Sequence, residues 1–266
     1  MAIHDMSVLA TTVRKRNPLV VHYTNEVTIN DCANAALAIG ASPIMGDAIE
    51  EAADLIAMSS AVVLNIGKMH APQIPLYLAV GKIANELRKP IVLDPVGVFA
   101  SKHRTDFVAE LLDTVKFDVI KGNAAEILFL AGQEAQGKGV DASDDIELDI
   151  GILQNFANET EAVVAATGKV DVIADGNRAL QIYNGSPKLK SVTGTGCMTA
   201  SLVGSYAGVA EDPFIAAAMG VVSMALSGEL ADRNNPGIGT FKVQLFDQLY
   251  GLDEQILNNG AKVEIV

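Results

Sequence analysis

Five short apolar runs do most to limit what this chain can fold into, because each closes on a polar residue or glycine. They are "PLVVHYTN" from Pro18, "AVVLNIG" from Ala61, "PIVLDPVG" from Pro90, "FDVIKGN" from Phe117 and "AVVAATG" from Ala162. Runs this short and this rich in Val and Ile read as strands buried on both faces. Between them, residues 74–89 and 105–116 place apolar side chains at helical spacing, with basic residues near the end. Strands alternating with helices predict βαβ units. The expected architecture is therefore α/β, a mainly parallel central sheet flanked by helices, in a single domain spanning residues 1–266. Half of the 266 residues are hydrophobic and only 5% are aromatic, so the core is mostly Ala, Val, Ile and Leu. That suits a parallel sheet covered by small-residue helices.

The segments "DVIADG" from Asp171 and "LQIYNG" from Leu180 alternate over a shorter distance and predict a hairpin at a sheet edge. After Cys197 the pattern turns helical, with Asp212 and Pro213 placed as N-cap and first residue of a helix. Its apolar stretch, residues 214–228, is shorter than the 18 residues of a membrane span and reads as a buried core helix. The polar segment from Gln133 reads as a surface loop or a short helical excursion. A net charge of −13 argues against nucleic-acid or anionic-membrane partners. Cys32 and Cys197 show no metal or redox spacing, and the N-terminus lacks the apolar core of a secretory signal. A reducing cytoplasm is the expected location.

In open α/β sheets, ligands bind outside the carboxyl ends of the strands. Here those ends carry Asn25, Gly67, Asp94, Lys121 with Asn123, and Thr167 with Gly168. A further motif, "SVTGTGCMTAS" from Ser191, brings two glycines to the start of a helix. Such a turn lets backbone N–H groups converge on an anion and should lower the thiol pKa of Cys197. It reads equally as a tight turn before a buried cysteine. "DPVG" from Asp94 leaves an acid at the rim or simply opens a turn, and "KGNAAE" from Lys121 supplies cation, amide and acid or simply a capped helix.

Taken together, "SVTGTGCMTAS", "LDPVG", "IKGNAAEI", "ATG", "YTNEV" and "PIMGDA" resemble the hydroxyethylthiazole kinase family of the ribokinase-like superfamily. The resemblance runs from about residue 5 to about residue 255. It implies transfer of the γ-phosphoryl group of ATP, with Mg2+, to the primary alcohol of 4-methyl-5-(2-hydroxyethyl)thiazole in thiamin salvage, by a homotrimer with active sites between subunits. By the resemblance, Cys197 occupies the slot of a catalytic base, and Gly194, Thr195 and Gly196 form the anion hole. Lys121, Asn123, Thr167 and Gly168 correspond to ATP-contacting positions, and Asp94 and Glu126 to acids that organise the metal. Asn25, Val27, Met45, Gly67 and Gly194 correspond to the thiazole pocket. Lys121 stands where relatives often carry arginine, and "VFASKHRTDF" after Gly97 replaces a small-residue segment. None of the histidines (His4, His22, His70, His103) is assigned to chemistry.

Phosphoryl transfer depends more on alignment and charge neutralisation than on deprotonating the alcohol, so a cysteine in the base position is chemically tolerable. Rival readings are a kinase of another vitamin-like alcohol such as hydroxymethylpyrimidine, an ATP-dependent dehydratase of hydrated nicotinamide nucleotides, and a silent nucleotide-binding protein. The dehydratase reading expects aspartate where Cys197 stands. The silent reading leaves the joint presence of Asp94, Lys121, Glu126 and Cys197 unused.

Overall fold

A computed structural model describes residues 3–70, 72–133 and 147–266. In chain order the elements are α1 (Ile3–Arg16), β1 (Leu19–Tyr23), α2 (Ile29–Ala38), β2 (Ser42–Met45), α3 (Ile49–Met58), β3 (Ala61–Asn65), α4 (Gln73–Glu86) and β4 (Ile91–Asp94). Next come α5 (Lys102–Thr114), β5 (Val119–Asn123), α6 (Ala124–Leu130), α7 (Ile150–Thr160), β6 (Val163–Thr167), β7 (Asp171–Ala174) and β8 (Ala179–Ile182). The chain finishes with α8 (Thr195–Ala207), α9 (Pro213–Ala231), α10 (Ile238–Gly251), α11 (Glu254–Gly260) and β9 (Val263–Ile265).

The strands form one sheet in the order β2-β1-β3-β4-β5-β6-β7-β8-β9. The β2 to β6 side is parallel throughout, and β7, β8 and β9 pair antiparallel. All five apolar runs are strands. The hairpin forms as β7 and β8, but it is not the edge, because β9 pairs with β8 through Leu180 and Ile265. Strands β2 and β9 escape sequence reading: one has only four residues, including Pro43, and the other three, including Glu264. Helix α5 begins three residues before the expected start, since Ser101 caps it by accepting the Arg104 N–H. The polar segment from Gln133 lies almost wholly outside the described residues.

Alternate strand residues face two helical layers, as the period of two requires. Val20, Val63, Val92, Val119 and Ala165 join the core under α1, α2, α8, α9 and α10. Val21, Leu64, Leu93, Ile120 and Val164 face α3, α4, α5 and α7. Each fully buried Val, Leu or Ile contributes about 1.5–3 kcal/mol relative to exposure.

Helices α8 and α9 pack closely against each other. A Cβ on Gly220 would stand 2.6 Å from the Val203 nitrogen and 2.7 Å from its Cα, so one backbone lies against the other. At the next residue, a Cβ on Gly204 would press on Val63 Cγ2 and stand 3.3 Å from Val20 Cγ1 of the sheet. Asp212 caps α9 by accepting the Phe214 N–H, as its sequence predicts. Helix α9 runs 19 residues, longer than the apolar stretch in the sequence, and on length and composition alone it could cross a membrane; 83% of its most apolar window is buried in this fold.

Candidate active site

Period and register place the first part of the site. Asn65 pairs with Asp94 across β3 and β4, and the β4 to β5 register then sets Lys121 beside Asp94. Asn65, Asp94 and Lys121 share the sheet face of Val63, Val92 and Val119, the face covered by α8. A polar row thus crosses three parallel strands at their carboxyl ends. Within it, Asn65 Nδ2 donates to Asp94 Oδ2 at 2.6 Å, and Lys121 Nζ stands 4.0 Å from Asp94 Oδ1.

The Lys121 and Asp94 residues are 2% and 1% exposed. Burying two charges costs several kcal/mol per ion, so such a pair is weak evidence for stability. Burial opposes the ammonium, but Asp94, Glu126, Cys197 and Asp171 around it hold Lys121 above its ordinary pKa. Burial pushes the Asp94 carboxyl upward, with Lys121 offsetting part of the rise. Lys121 Nζ also donates to the Gly196 carbonyl at 3.1 Å, which ties the row to α8.

Helix α8 starts without a side-chain cap. Its N-cap, Gly194, has φ +91°, and a Cβ there would stand 2.6 Å from Thr28 Cγ2. Only glycine combines that backbone with that approach. Met198 is the first residue whose N–H reaches back into the helix, donating to the Gly194 carbonyl at 2.7 Å. The N–H groups of Thr195, Gly196 and Cys197 precede it, at the positive end of the helix dipole, an arrangement suited to phosphate. The Thr195 hydroxyl is turned away, donating to the Leu189 carbonyl.

Cys197 is 9% exposed, and Asn25 Nδ2 donates to its sulfur at 3.5 Å. The thiol pKa is raised, contrary to the expectation from the helix start. Burial is the larger cause and Asp94 adds to it, outweighing Thr28, Lys121 and Asn65. At neutral pH the resting group is therefore the thiol.

At the end of β5, Asn123 and Glu126 form a reciprocal capping box at the start of α6. Glu126 Oε2 accepts the Asn123 N–H and Oε1 the Gly97 N–H, both at 2.7 Å, so this acid fastens the turn after β4 to the start of α6. Thr167 Oγ1 donates to the Gly122 carbonyl at 3.2 Å, and Gly168 N–H donates to Asp171 Oδ1 at 2.9 Å. The structure therefore brings Asn25, Gly67, Asp94, Lys121, Gly196 and Cys197 into one hydrogen-bonded and ion-paired group. Thr167, Gly168, Asn123 and Glu126 line the adjoining rim. Val27 is 70% exposed and lines a cleft of about 450 Å³ with Asp31, Val192, Thr193, Ile238 and Lys242. Met45 stands apart at the end of β2, opposite His22, and packs against the core that contains Cys32 and Cys197.

Three functional neighbours escape the sequence. Asn65 looks like an ordinary strand end until the register places it beside Asp94. Arg104 donates to the carbonyls of Ile66, Val96 and Gly67 at 2.6, 2.9 and 3.0 Å, clamping two rim turns together. Asp171, buried on β7, holds the Thr167–Gly168 turn, and burial pushes its carboxyl up to about 7. Only the basic type of Arg104 within the unusual segment after Gly97 signals anything at sequence level.

Among the described residues no three His, Cys, Asp or Glu side chains converge as a direct metal cage. Asp94 Oδ1 is nevertheless buried without a hydrogen-bond partner, while both Glu126 oxygens already accept N–H groups. Such a donor set fits magnesium, which keeps its waters and binds phosphate oxygens with one or two carboxylates.

Comparison with known proteins bears on the family and the fold. The model of the hydroxyethylthiazole kinase family matches residues 10–255. A hydroxyethylthiazole kinase of Clostridioides difficile is 50% identical over 97% of this chain and 98% of its own length. One from Methanoculleus marisnigri is 43% identical over 96% of this chain and 92% of its own. The solved structure of the Pyrococcus horikoshii hydroxyethylthiazole kinase superposes with a TM-score of 0.90 at 40% identity, covering 98% of this chain and 99% of that one. At 12% identity, a ribokinase-like superfamily protein of Enterococcus faecalis shares the fold with a TM-score of 0.64, over 89% of this chain and 87% of that one. With the polar row, the uncapped glycine start of α8 and a match spanning nearly the whole sequence, this chain belongs to the hydroxyethylthiazole kinase family.

Proposed function

We propose that this chain transfers the γ-phosphoryl group of ATP to the primary alcohol of 4-methyl-5-(2-hydroxyethyl)thiazole, a step of thiamin salvage. One observation carries the reading: the Cys197 sulfur and the Lys121 ammonium meet at the same uncapped start of α8, Lys121 through the Gly196 carbonyl. An alcohol held at the sulfur then faces a phosphoryl group received by the N–H groups of Thr195, Gly196 and Cys197. Those donors stabilise charge that develops on the transferring group.

Because Cys197 rests as a thiol, its sulfur first accepts the substrate O–H and fixes the direction of attack. The loose transition state requires little proton removal, so the proton leaves the alcohol late, passing to an oxygen of the phosphoryl group as the new P–O bond forms and the bond to ADP breaks. Lys121 neutralises phosphate charge as a point cation and lacks the two-pronged grip of arginine. Asp94 and Glu126 would hold the magnesium site, Asp94 through the oxygen that accepts no hydrogen bond; the bound ion would supply charge neutralisation on the phosphates. Thr167, Gly168 and Asn123 form the nucleotide rim, and Asn25, Gly67, Val27 and Met45 the thiazole side.

The exposed Val27 beside this site supports a further element of the proposal, a homotrimer whose subunits complete each other's pockets. Light scattering should return three chain masses. Two unpaired buried cysteines and a charge of −13 support a cytoplasmic protein whose partner is a small molecule, with no role for nucleic acid or membrane. The deciding assay follows ADP release with ATP and magnesium. Turnover is expected with the thiazole alcohol, above hydroxymethylpyrimidine and above a blank without acceptor. Equal rates in all three would remove the proposal.

A further inference from the structure

The two carboxamides beside Cys197 have only one possible orientation each. Asn25 Oδ1 accepts the Thr28 N–H at 3.2 Å, and Asn65 Oδ1 accepts the Gly67 N–H at 2.9 Å. A backbone N–H is a donor and nothing else, so each amide must turn its oxygen toward that N–H and its NH2 away from it. The Asn25 NH2 consequently meets Asn65 Oδ1 at 2.9 Å and the Cys197 sulfur at 3.5 Å. The Asn65 NH2 meets Asp94 Oδ2 at 2.6 Å. Asn65 is 1% exposed, and the Tyr77 hydroxyl holds its carbonyl at 3.0 Å, so its backbone is fixed as firmly as its side chain.

We propose that Asn65 is a positioning residue for phosphoryl transfer, holding the Asn25 amide on the Cys197 sulfur and thereby aiming the sulfur at the substrate alcohol. The inference rests on the kinase reading above and extends it to a residue without substrate contact. Without Asn65, the Asn25 NH2 loses its oxygen acceptor inside a buried site and turns elsewhere, and the sulfur loses a donor that helps to fix it. A misplacement of about 1 Å costs about 10²-fold in rate. The loss falls on kcat, because the phosphates are gripped by the Lys121 ammonium and the backbone N–H groups at the α8 start, whereas the Asn65 side chain bonds Asn25, Asp94 and the Gly67 N–H.

The experiment compares Asn65→Leu, Asn25→Leu and the double variant, each checked for folding by thermal melting. Asn65→Leu should lower kcat about 100-fold while KM for ATP stays within about threefold. The double variant should be no slower than the worse single variant, since both break one chain of contacts. Single effects that multiply, a loss confined to KM, or a kcat within twofold of the unaltered enzyme would overturn the inference. If Asn65→Leu does not fold, Asn65→Ser takes its place: its hydroxyl is too short to reach both Asn25 and Asp94, and the same drop is expected. A second readout needs no turnover. Alkylation of Cys197 by iodoacetamide at one fixed pH, followed on the peptide by mass spectrometry, should slow in Asn65→Leu and Asn25→Leu alike, because an N–H on sulfur favours the reactive thiolate. Unchanged or faster alkylation would overturn the inference. An unaltered protein without thiazole-dependent turnover would instead count against the kinase reading, and the alkylation rates would still test the amide chain.

Discussion

Helices α8 and α9 lie against each other and begin in opposite ways. Helix α9 is sealed: Asp212 accepts the Phe214 N–H at 2.9 Å, Pro213 removes a donor, and Arg178 bonds the Asp212 carboxylate while stacking 4.4 Å from the Phe214 ring centre. Helix α8 is open: Gly194 offers no side chain, and three N–H groups face the rim of the sheet. A capped start adds about 1 kcal/mol to stability. An uncapped start forgoes that stability and leaves N–H groups for a ligand. The pair shows stability and reactivity placed on neighbouring helices by the choice of one residue each.

The most drastic way to break this contrast is to make α8 start like α9. Gly194→Asp puts a Cβ against Thr28 and a carboxylate beside the open N–H groups of α8. A fall in kcat of about 10²–10³-fold is expected, the scale of losing one donor from an oxyanion hole. Steady-state kinetics on a folded variant checks it, and near-normal turnover would refute the anion-hole assignment. Next in size comes the thiol. Cys197→Ala should lower kcat by about 10²-fold or more with KM for ATP little changed, while Cys197→Asp retains activity because a carboxylate can take the proton directly. An alanine variant with normal kcat would remove Cys197 from the chemistry.

The reverse exchange, Asp212→Ala, should leave turnover unchanged and lower stability by about 0.5–2 kcal/mol, a fall in Tm of a few degrees. A large loss of activity would mean that the sealed helix start also serves the site.

A last test reads a slope of stability with pH, at a buried titratable group outside the site. His22 is fully buried, its Nδ1 lies 3.0 Å from the Val20 carbonyl, and its Nε2 has no partner. Burial lowers its pKa from 6.5 to about 4. The unfolded chain therefore binds the proton first, so this contribution to stability is complete above pH 6.5 and falls as pH drops toward 4, by up to about 1.4 kcal/mol per pH unit. Asp171, raised to about 7, pushes stability the opposite way over the same range, so the test is a difference. Between pH 6.5 and 4, His22→Leu should lose one proton's worth of slope relative to the unaltered protein. Parallel curves would refute it.

Most of the sheet was legible because β1, β3, β4, β5 and β6 are continuous apolar runs whose ends carry the polar residues of the site. Strands β2 and β9 were not, since four and three residues hold too little periodicity to be told from a turn. The motifs identified which residue types gather at the rim, but their partners depend on register. Asn65 acquires a role only when β3 lies beside β4, and Arg104 only when α5 folds its guanidinium back onto carbonyls 37 and 38 residues earlier. The thiol of Cys197 was misjudged for a related reason. Its helix start is local and visible, whereas the burial and the Asp94 charge that outweigh it come from strands far away in the chain.

The backbone contact between Gly220 and Val203 has a consequence for any survey of variants. The open N–H groups lie in the first turn of α8, but the position of that turn is set further along, where Gly204 lies against the sheet and Val203 against Gly220. A saturation library across residues 194–228 would show intolerance well beyond the chemistry. Changes at the exposed Val27 should be tolerated far better, because a change in the helix pair would displace all the open N–H groups of α8 together.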